Sequence, residues 1–256
     1  MLSKNKTRFI ISLQKKKVRD EYQLYVIEGD KIVREYVSAG MPIKSLIAKP
    51  EFIGSISREL MSGVFETEPV SYEELKQISS LKTPHNALAV VCMPDRKISQ
   101  SKLLKERCVA LDCIQDPGNM GTIMRAAAWF GIKNIVCSED CVDLYNPKVI
   151  QASMGAIIHL NVLYSNLEKF LKAAKEKQVP VYGTMLEAES IYDSELINNA
   201  IILLGNESKG ISDELIPYIN HRIMKPGFTK NKPGIDSLNV GMAASVVFSE
   251  FARRSG

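Results

Sequence analysis

The sequence has no apolar run long enough to cross a membrane. Its longest stretches, such as Ala87–Met93 and Ala200–Leu204, fall far short of the about 18 residues a span requires. It carries five cysteines (Cys92, Cys108, Cys113, Cys137 and Cys141), an odd number with no Cys-x-x-Cys pair, so it is not a disulfide framework. Cys137 and Cys141 stand at a spacing two metal ligands use, but no second pair or nearby histidine completes a zinc site among only three histidines. No metal is expected, and buried free thiols in a reducing, cytoplasmic compartment are. The N-terminus has charge but no apolar h-region, so no signal peptide is expected. There is no Gly-x-Gly-x-x-Gly. Gly205 and Gly210 have phosphate-loop spacing, but Ile211-Ser212 stand where Lys-Ser/Thr belongs. An ordinary dinucleotide site and nucleoside-triphosphate hydrolysis are both disfavoured.

What is present is ordinary in bulk and uneven in detail. The chain has 256 residues, 45% hydrophobic and 24% charged, which allows one large domain or two modest ones and a core without staples. The net charge is 33 − 29 = +4. That surplus alone implies no nucleic-acid partner, but its placement is suggestive. Lys4, Lys6, Arg8, Lys15, Lys16, Lys17 and Arg19 lie within the first 19 residues, with no acid among them. A polyanion would feel that field, although a solvated basic terminus is an equal reading of charge alone.

The polar stretch Pro94–Lys102 follows a strand-like run, Ala87–Cys92, and divides the chain. Before it, strands are expected at Tyr25–Ile27 and Lys44–Ala48. Helices are expected at Gly29–Ala39, Glu51–Met61 and Tyr72–Ile78, giving a small α/β module of about 90 residues. After it, strands are expected at Arg107–Asp112, Asn134–Cys137, Val179–Thr184, Ala200–Leu204 and Arg222–Met224. They alternate with helices at Met120–Phe130, Leu167–Lys175 and Leu238–Arg253. The pattern predicts a mostly parallel sheet with its ligand site in loops at the carboxyl ends of the strands.

Three such loops hold the unusual residues. In DCIQDPGNMGTIMRAAAWFG, Asn119 is a candidate cap for a helix starting near Met120, and Arg125 sits one turn in. A cation there opposes the helix dipole and needs an anion. A capped helix with a solvated arginine is the bland alternative. In IILLGNESKGIS, Glu207 follows a buried strand, as an acid/base, a clamp or a turn residue. In HRIMKPGFTKNKPGIDSLNVGMAAS, Ser237 or Asp236 is the expected cap of the last helix, while Asn239 is less well explained by capping. Trp129 is expected in core or subunit packing rather than as a base-stacking platform.

Order and content together resemble the three motifs of the SpoU (TrmH-type) branch of the SPOUT RNA methyltransferases. They match in DPGNMGTIMRAA, LLGNESKG and SLNVGMAAS, across Cys108–Arg253. The start, ISLQKKKVRDEYQLYVIEGDKIV, more weakly resembles the L30e-like substrate-binding domain attached to many such enzymes. The resemblance implies an α/β fold in two parts. Residues 1–95 would be an L30e-like RNA-binding domain, 96–105 a linker, and 106–256 a SPOUT domain with a mostly parallel sheet and a C-terminal trefoil knot.

It further implies a cytoplasmic homodimer that methylates a ribose 2′-OH of rRNA, or less readily tRNA, with S-adenosylmethionine. Arg125, Asn119, Glu207, Ser237 and Asn239 match the family's catalytic polar residues. Gly205, Ile223 and Leu238 match cofactor positions, with Thr184 a weaker candidate. The basic residues of the first 19 would meet RNA. One departure is the lengthened segment FTKNKPGID, whose Lys230 and Lys232 would extend the RNA surface. The alternatives are a catalytically inactive RNA-binding protein with the same fold, and an unrelated α/β nucleotide enzyme.

Overall fold

The computed structural model describes residues 2–95, 98–228 and 237–254. Contacts divide the chain into two compact units. One is Met1–Asp95 with Asp143–Ile158, and the other is Arg96–Val142 with His159–Gly256. Residues 143–158 therefore group with the first unit by their contacts.

The first unit opens with α1 (Lys4–Ser12), capped by the Ser3 hydroxyl, and α2 (Lys16–Tyr22). Then come β1 (Leu24–Glu28), α3 (Asp30–Ser38), β2 (Ile43–Ala48), α4 (Pro50–Gly54), β3 (Thr67–Pro69), α5 (Tyr72–Ile78) and β4 (Ala87–Cys92). The sheet order is β1-β4-β2-β3, with β4 antiparallel to both neighbours and β2 parallel to β3. Its core gathers Ile10, Leu13, Leu24, Ile47, Leu75, Ile78, Leu88 and Val90. The helix expected over Glu51–Met61 is instead the short α4, followed by a 3-10 turn at Leu60–Gly63. Gly54 and the serines after it, Ser55 and Ser57, favour local turns over helix continuation.

The basic start folds differently from a free cationic arm. Arg19 is 3% exposed and donates to the carbonyls of Leu13 (3.0 Å) and Gln14 (2.7 Å) and to Asp143 Oδ2 (2.5 Å). Its charge is neutralised within the fold, so the expectation that it meets RNA is corrected. Lys6 is held between Glu66 (2.7 Å) and Glu68 (2.6 Å), which hold its ammonium on the charged side, and Lys16 pairs with Asp20 at 2.6 Å. Lys4, Arg8, Lys15 and Lys17 are exposed.

The second unit contains α6 (Gln100–Leu103), β5 (Cys108–Leu111), α7 (Pro117–Trp129) and β6 (Asn134–Cys137); α8 (Pro147–Ser153) belongs to the first unit. It continues with β7 (Asn161–Tyr164), α9 (Leu167–Glu176), β8 (Val181–Ser190), β9 (Ile201–Leu204), β10 (His221–Met224) and α10 (Val240–Arg253). All six strands are parallel, in the order β10-β8-β9-β5-β6-β7. Every residue of β5, β6 and β9 is buried, as strands covered on both faces must be. Phe170, Leu171 and Ala174 of α9 pack with Cys108, Ala110, Val136, Ile201 and Leu203. Three of the five free thiols, Cys108, Cys137 and Cys141, are buried. No helix among the described residues is long and apolar enough to cross a membrane.

Candidate functional site

The carboxyl ends of β8, β9 and β10 open onto one cleft of ≈ 960 Å³ in the second unit. Its wall combines the ends of three strands with the start of α10. Thr184, Met185 and Leu186 come from β8, the loop Gly205–Ile211 follows β9, and Ile223–Phe228 run out of β10. Ser237, Leu238, Val240, Ala243 and Val247 complete it. The site lies where parallel sheets place ligands. The β8–β10 pairing makes room for it. Arg222 faces Gly183, but Ile223 faces Glu189, so residues 184–188 loop out of register.

The β9 loop is tightly closed. Asn206 and Gly210 exchange both backbone hydrogen bonds at 2.9 Å, and Gly210 takes φ +75°. A Cβ at position 205 would lie 2.3 Å from the Gly210 carbonyl carbon, so only glycine permits this closure. Asn206 locks it from the side. Its Oδ1 accepts from the amides of Ser208 (3.0 Å) and Lys209 (3.1 Å). Its Nδ2 donates to the Cys113 carbonyl at 2.7 Å, tying the loop to the chain beyond β5.

From this loop a relay of amides runs to α10. Asn119 Nδ2 donates to Glu207 Oε1 at 2.8 Å, and Asn239 Nδ2 donates to Asn119 Oδ1 at 2.8 Å. Asn239 Oδ1 accepts from the amides of Gly241 (3.0 Å) and Met242 (3.3 Å). Asn239 is therefore the cap of α10, correcting the assignment to Ser237 or Asp236; Asp236 lies outside the described residues. Likewise Asp116, not Asn119, caps α7, its Oδ1 accepting from the Asn119 amide at 2.8 Å, with Pro117 at the first helical position. That leaves the Asn119 side chain for the relay.

The structure thus brings Thr184, Gly205, Glu207, Ile223, Ser237 and Leu238 to one cleft, with Asn119 and Asn239 hydrogen-bonded in series to Glu207. Arg125 is placed differently. It is exposed on α7, outside the lining of the cleft, and among the described residues it has no hydrogen bond or ion pair. Trp129 is 82% exposed, so it is not a core residue. Lys230 and Lys232 lie outside the described residues. The sequence reading did not single out Asn206, Met185, Ala243 or Val247. Asn206 was visible as the neighbour of Glu207, but its bond to a carbonyl 93 positions away has no local signature.

The lining suits S-adenosylmethionine in size and in chemistry. Ile223 (1% exposed), Val247, Ala243 and Leu238 offer an apolar floor for a purine face, within the usual volume range of ligand pockets. The polar groups of Asn206, Glu207, Ser208 and Ser237 stand in the same wall. A carboxylate, Glu207, stands in the lining, the kind of group a sulfonium favours. The Thr184 hydroxyl donates to the Leu203 carbonyl at 3.2 Å, which leaves its backbone and methyl to the cleft wall.

An all-parallel sheet with a cleft at its carboxyl ends is an α/β architecture, and comparison with known proteins places it in a class, the methyltransferases of SPOUT type. The chain belongs to the SpoU rRNA methylase family, whose model matches residues 106–249. Residues 4–89 match an MRM3-like substrate-binding domain. The chain is 27% identical over 236 residues to the 23S rRNA (guanosine(2553)-2′-O)-methyltransferase RlmP of Bacillus subtilis, covering 92% of this chain and 91% of that one. It is 26% identical to the human mitochondrial rRNA methyltransferase 3, covering 92% and 69%. Among solved structures, a TrmH-family protein from Porphyromonas gingivalis superposes with a TM-score of 0.88 at 33% identity, covering 99% of each chain. An AdoMet-bound rRNA methyltransferase from Sinorhizobium meliloti does so at 0.84 and 25% identity, covering 99% and 96%.

Proposed function

We propose that this protein methylates a ribose 2′-hydroxyl of ribosomal RNA, with S-adenosylmethionine as methyl donor. The observation that carries the reading is the cleft at the ends of β8, β9 and β10, joined by the relay Glu207–Asn119–Asn239 to the start of α10. The family match and the rRNA 2′-O-methyltransferase relative support ribosomal over transfer RNA.

Thr184, Gly205, Ile223 and Leu238 would hold the cofactor. Bound there, it supplies an electrophilic methyl group. The chain's own task is to aim a weak nucleophile and to stabilise oxyanion character on it. Arg125 carries that charge. A guanidinium stays protonated in proteins and is a poor proton acceptor. Its role is therefore to hold the phosphate beside the target ribose and the reacting oxygen, the proton leaving to that phosphate or to water. Glu207 fixes the Asn119 amide, which in turn fixes Asn239. Ser237 supports the cofactor wall or the phosphate. The first unit would hold the RNA, with Lys4, Arg8, Lys15 and Lys17 as its available cations.

The working form we propose is a cytoplasmic homodimer with a C-terminal trefoil knot. Arg125 stands outside its own cleft and Trp129 is exposed one turn further along the same helix face, which supports a site completed across subunits. The test is methylation of unmodified large-subunit rRNA transcript with radiolabelled S-adenosylmethionine, followed by digestion to nucleosides. Label in a 2′-O-methyl nucleoside is expected. Label on a base would overturn the ribose chemistry, and cofactor binding without any transfer would favour an inactive RNA-binding protein.

A further inference from the structure

An aromatic side chain of the cleft lining, Phe228, stacks on a second exposed ring, Tyr192. Phe228 lines the cleft and is 77% exposed. Its ring lies near-parallel to that of Tyr192, with centroids 6.3 Å apart and planes at 30°. Lys225 Nζ stands 5.1 Å from the Phe228 ring centre. Tyr192 is itself 40% exposed.

The support beneath these rings is firm. The Ile191 amide donates to the Met224 carbonyl at 2.9 Å, which joins the segment bearing Tyr192 to the strand that leads to Lys225 and Phe228. Arg254 donates to the carbonyls of Ile191, Tyr192 and Ser194, and Glu250 holds Arg254 in turn. Two aromatic rings held open to solvent beside a cation need an occupant with a flat face and negative charge nearby.

We propose that Phe228 and Tyr192, with Lys225, form a stacking platform for an RNA base next to the target nucleotide. This rests on the reading of the protein as an RNA ribose methyltransferase. A nucleobase offers a π-face to either ring, and its phosphate offers an anion to Lys225. The segment 225–232, KPGFTKNK, contains three lysines and no acid, which suits RNA better than an apolar protein partner. The ring, more than charge, makes the grip.

The test compares wild type with Phe228→Ala and Phe228→Trp, using large-subunit rRNA transcript and labelled S-adenosylmethionine. Phe228→Ala should raise the KM for RNA about tenfold or more, the scale of losing one stacked base. The affinity for S-adenosylmethionine by calorimetry, and the salt dependence of RNA binding, should not move. Phe228→Trp should restore the KM. A weakened cofactor affinity in Phe228→Ala would instead make the ring a cover for the cofactor and overturn the platform. An unmoved KM, with wild-type transfer intact, would overturn it as well. Wild-type protein that transfers no label would sink the ribose-methylation reading and the platform with it.

Discussion

Arg125 presents a full charge to solvent, and among the described residues no side chain neutralises it. Exposed and unpaired, it contributes little to folding, since isolated surface charges rarely do. Its position six residues beyond Asn119 nevertheless ties it to the helix that feeds the relay. Arg125→Ala should leave the melting temperature and S-adenosylmethionine affinity in place. It should lower kcat by about 10²–10³-fold, the cost of removing one preorganised oxyanion donor. Wild-type turnover would exclude the arginine from the chemistry. Arg19 shows the opposite fate of an identical side chain. Both arginines were legible as cations, but only the fold buries one against Asp143, 124 positions away, and leaves the other open.

At the scale of elements, closure of the 205–210 loop depends on a missing Cβ. Gly205→Ala would force that atom to 2.3 Å from the Gly210 carbonyl carbon, so the paired Asn206–Gly210 bonds must open. The expected result is a loss of about 1–3 kcal/mol in stability, from strain and lost hydrogen bonds, with weaker binding of S-adenosylmethionine by calorimetry. Unchanged cofactor affinity in a folded variant would remove this loop from the cofactor wall.

The end of α10 carries a pH signature. The hydrogen-bonded Arg253, with Arg254 behind it, holds the Glu250 carboxyl at about 2, against burial that pushes it up. A folded value below the ordinary 4.5 means a contribution that is complete above about pH 4.5 and is lost as pH falls towards 2. Glu250→Gln should flatten the fall of the unfolding midpoint across that interval.

Most strands were legible because parallel buried strands read as short apolar runs, as in Ile201–Leu204. The half-buried β7, Asn161–Tyr164, has no such run and was not read. Loop contents at the ends of β9 and β10 gave most of the cleft residues and the loop after β5 gave Asn119, whereas the relay's bond partners depend on register and were not readable.

At the scale of the whole molecule, the sole tryptophan decides between a surface and an interface. Trp129 leaves 82% of its area open on α7, and Met242 leaves 58% open near the start of α10. Both helices carry residues of the relay, so a face covering them would sit beside the chemistry. Large exposed apolar side chains on a folded chain mark association sites, and a two-fold axis is the commonest solution. We therefore expect wild-type protein to sediment as a dimer. Trp129→Glu, which places a charge in that face, should sediment as a monomer with its fold intact by circular dichroism. It should lose methyl transfer if Arg125 serves the partner's cleft. Because no other tryptophan is present, emission of the wild type should shift red on dilution as the ring enters water. A monomer at all concentrations with full activity would place the complete site in one chain and leave Trp129 as surface.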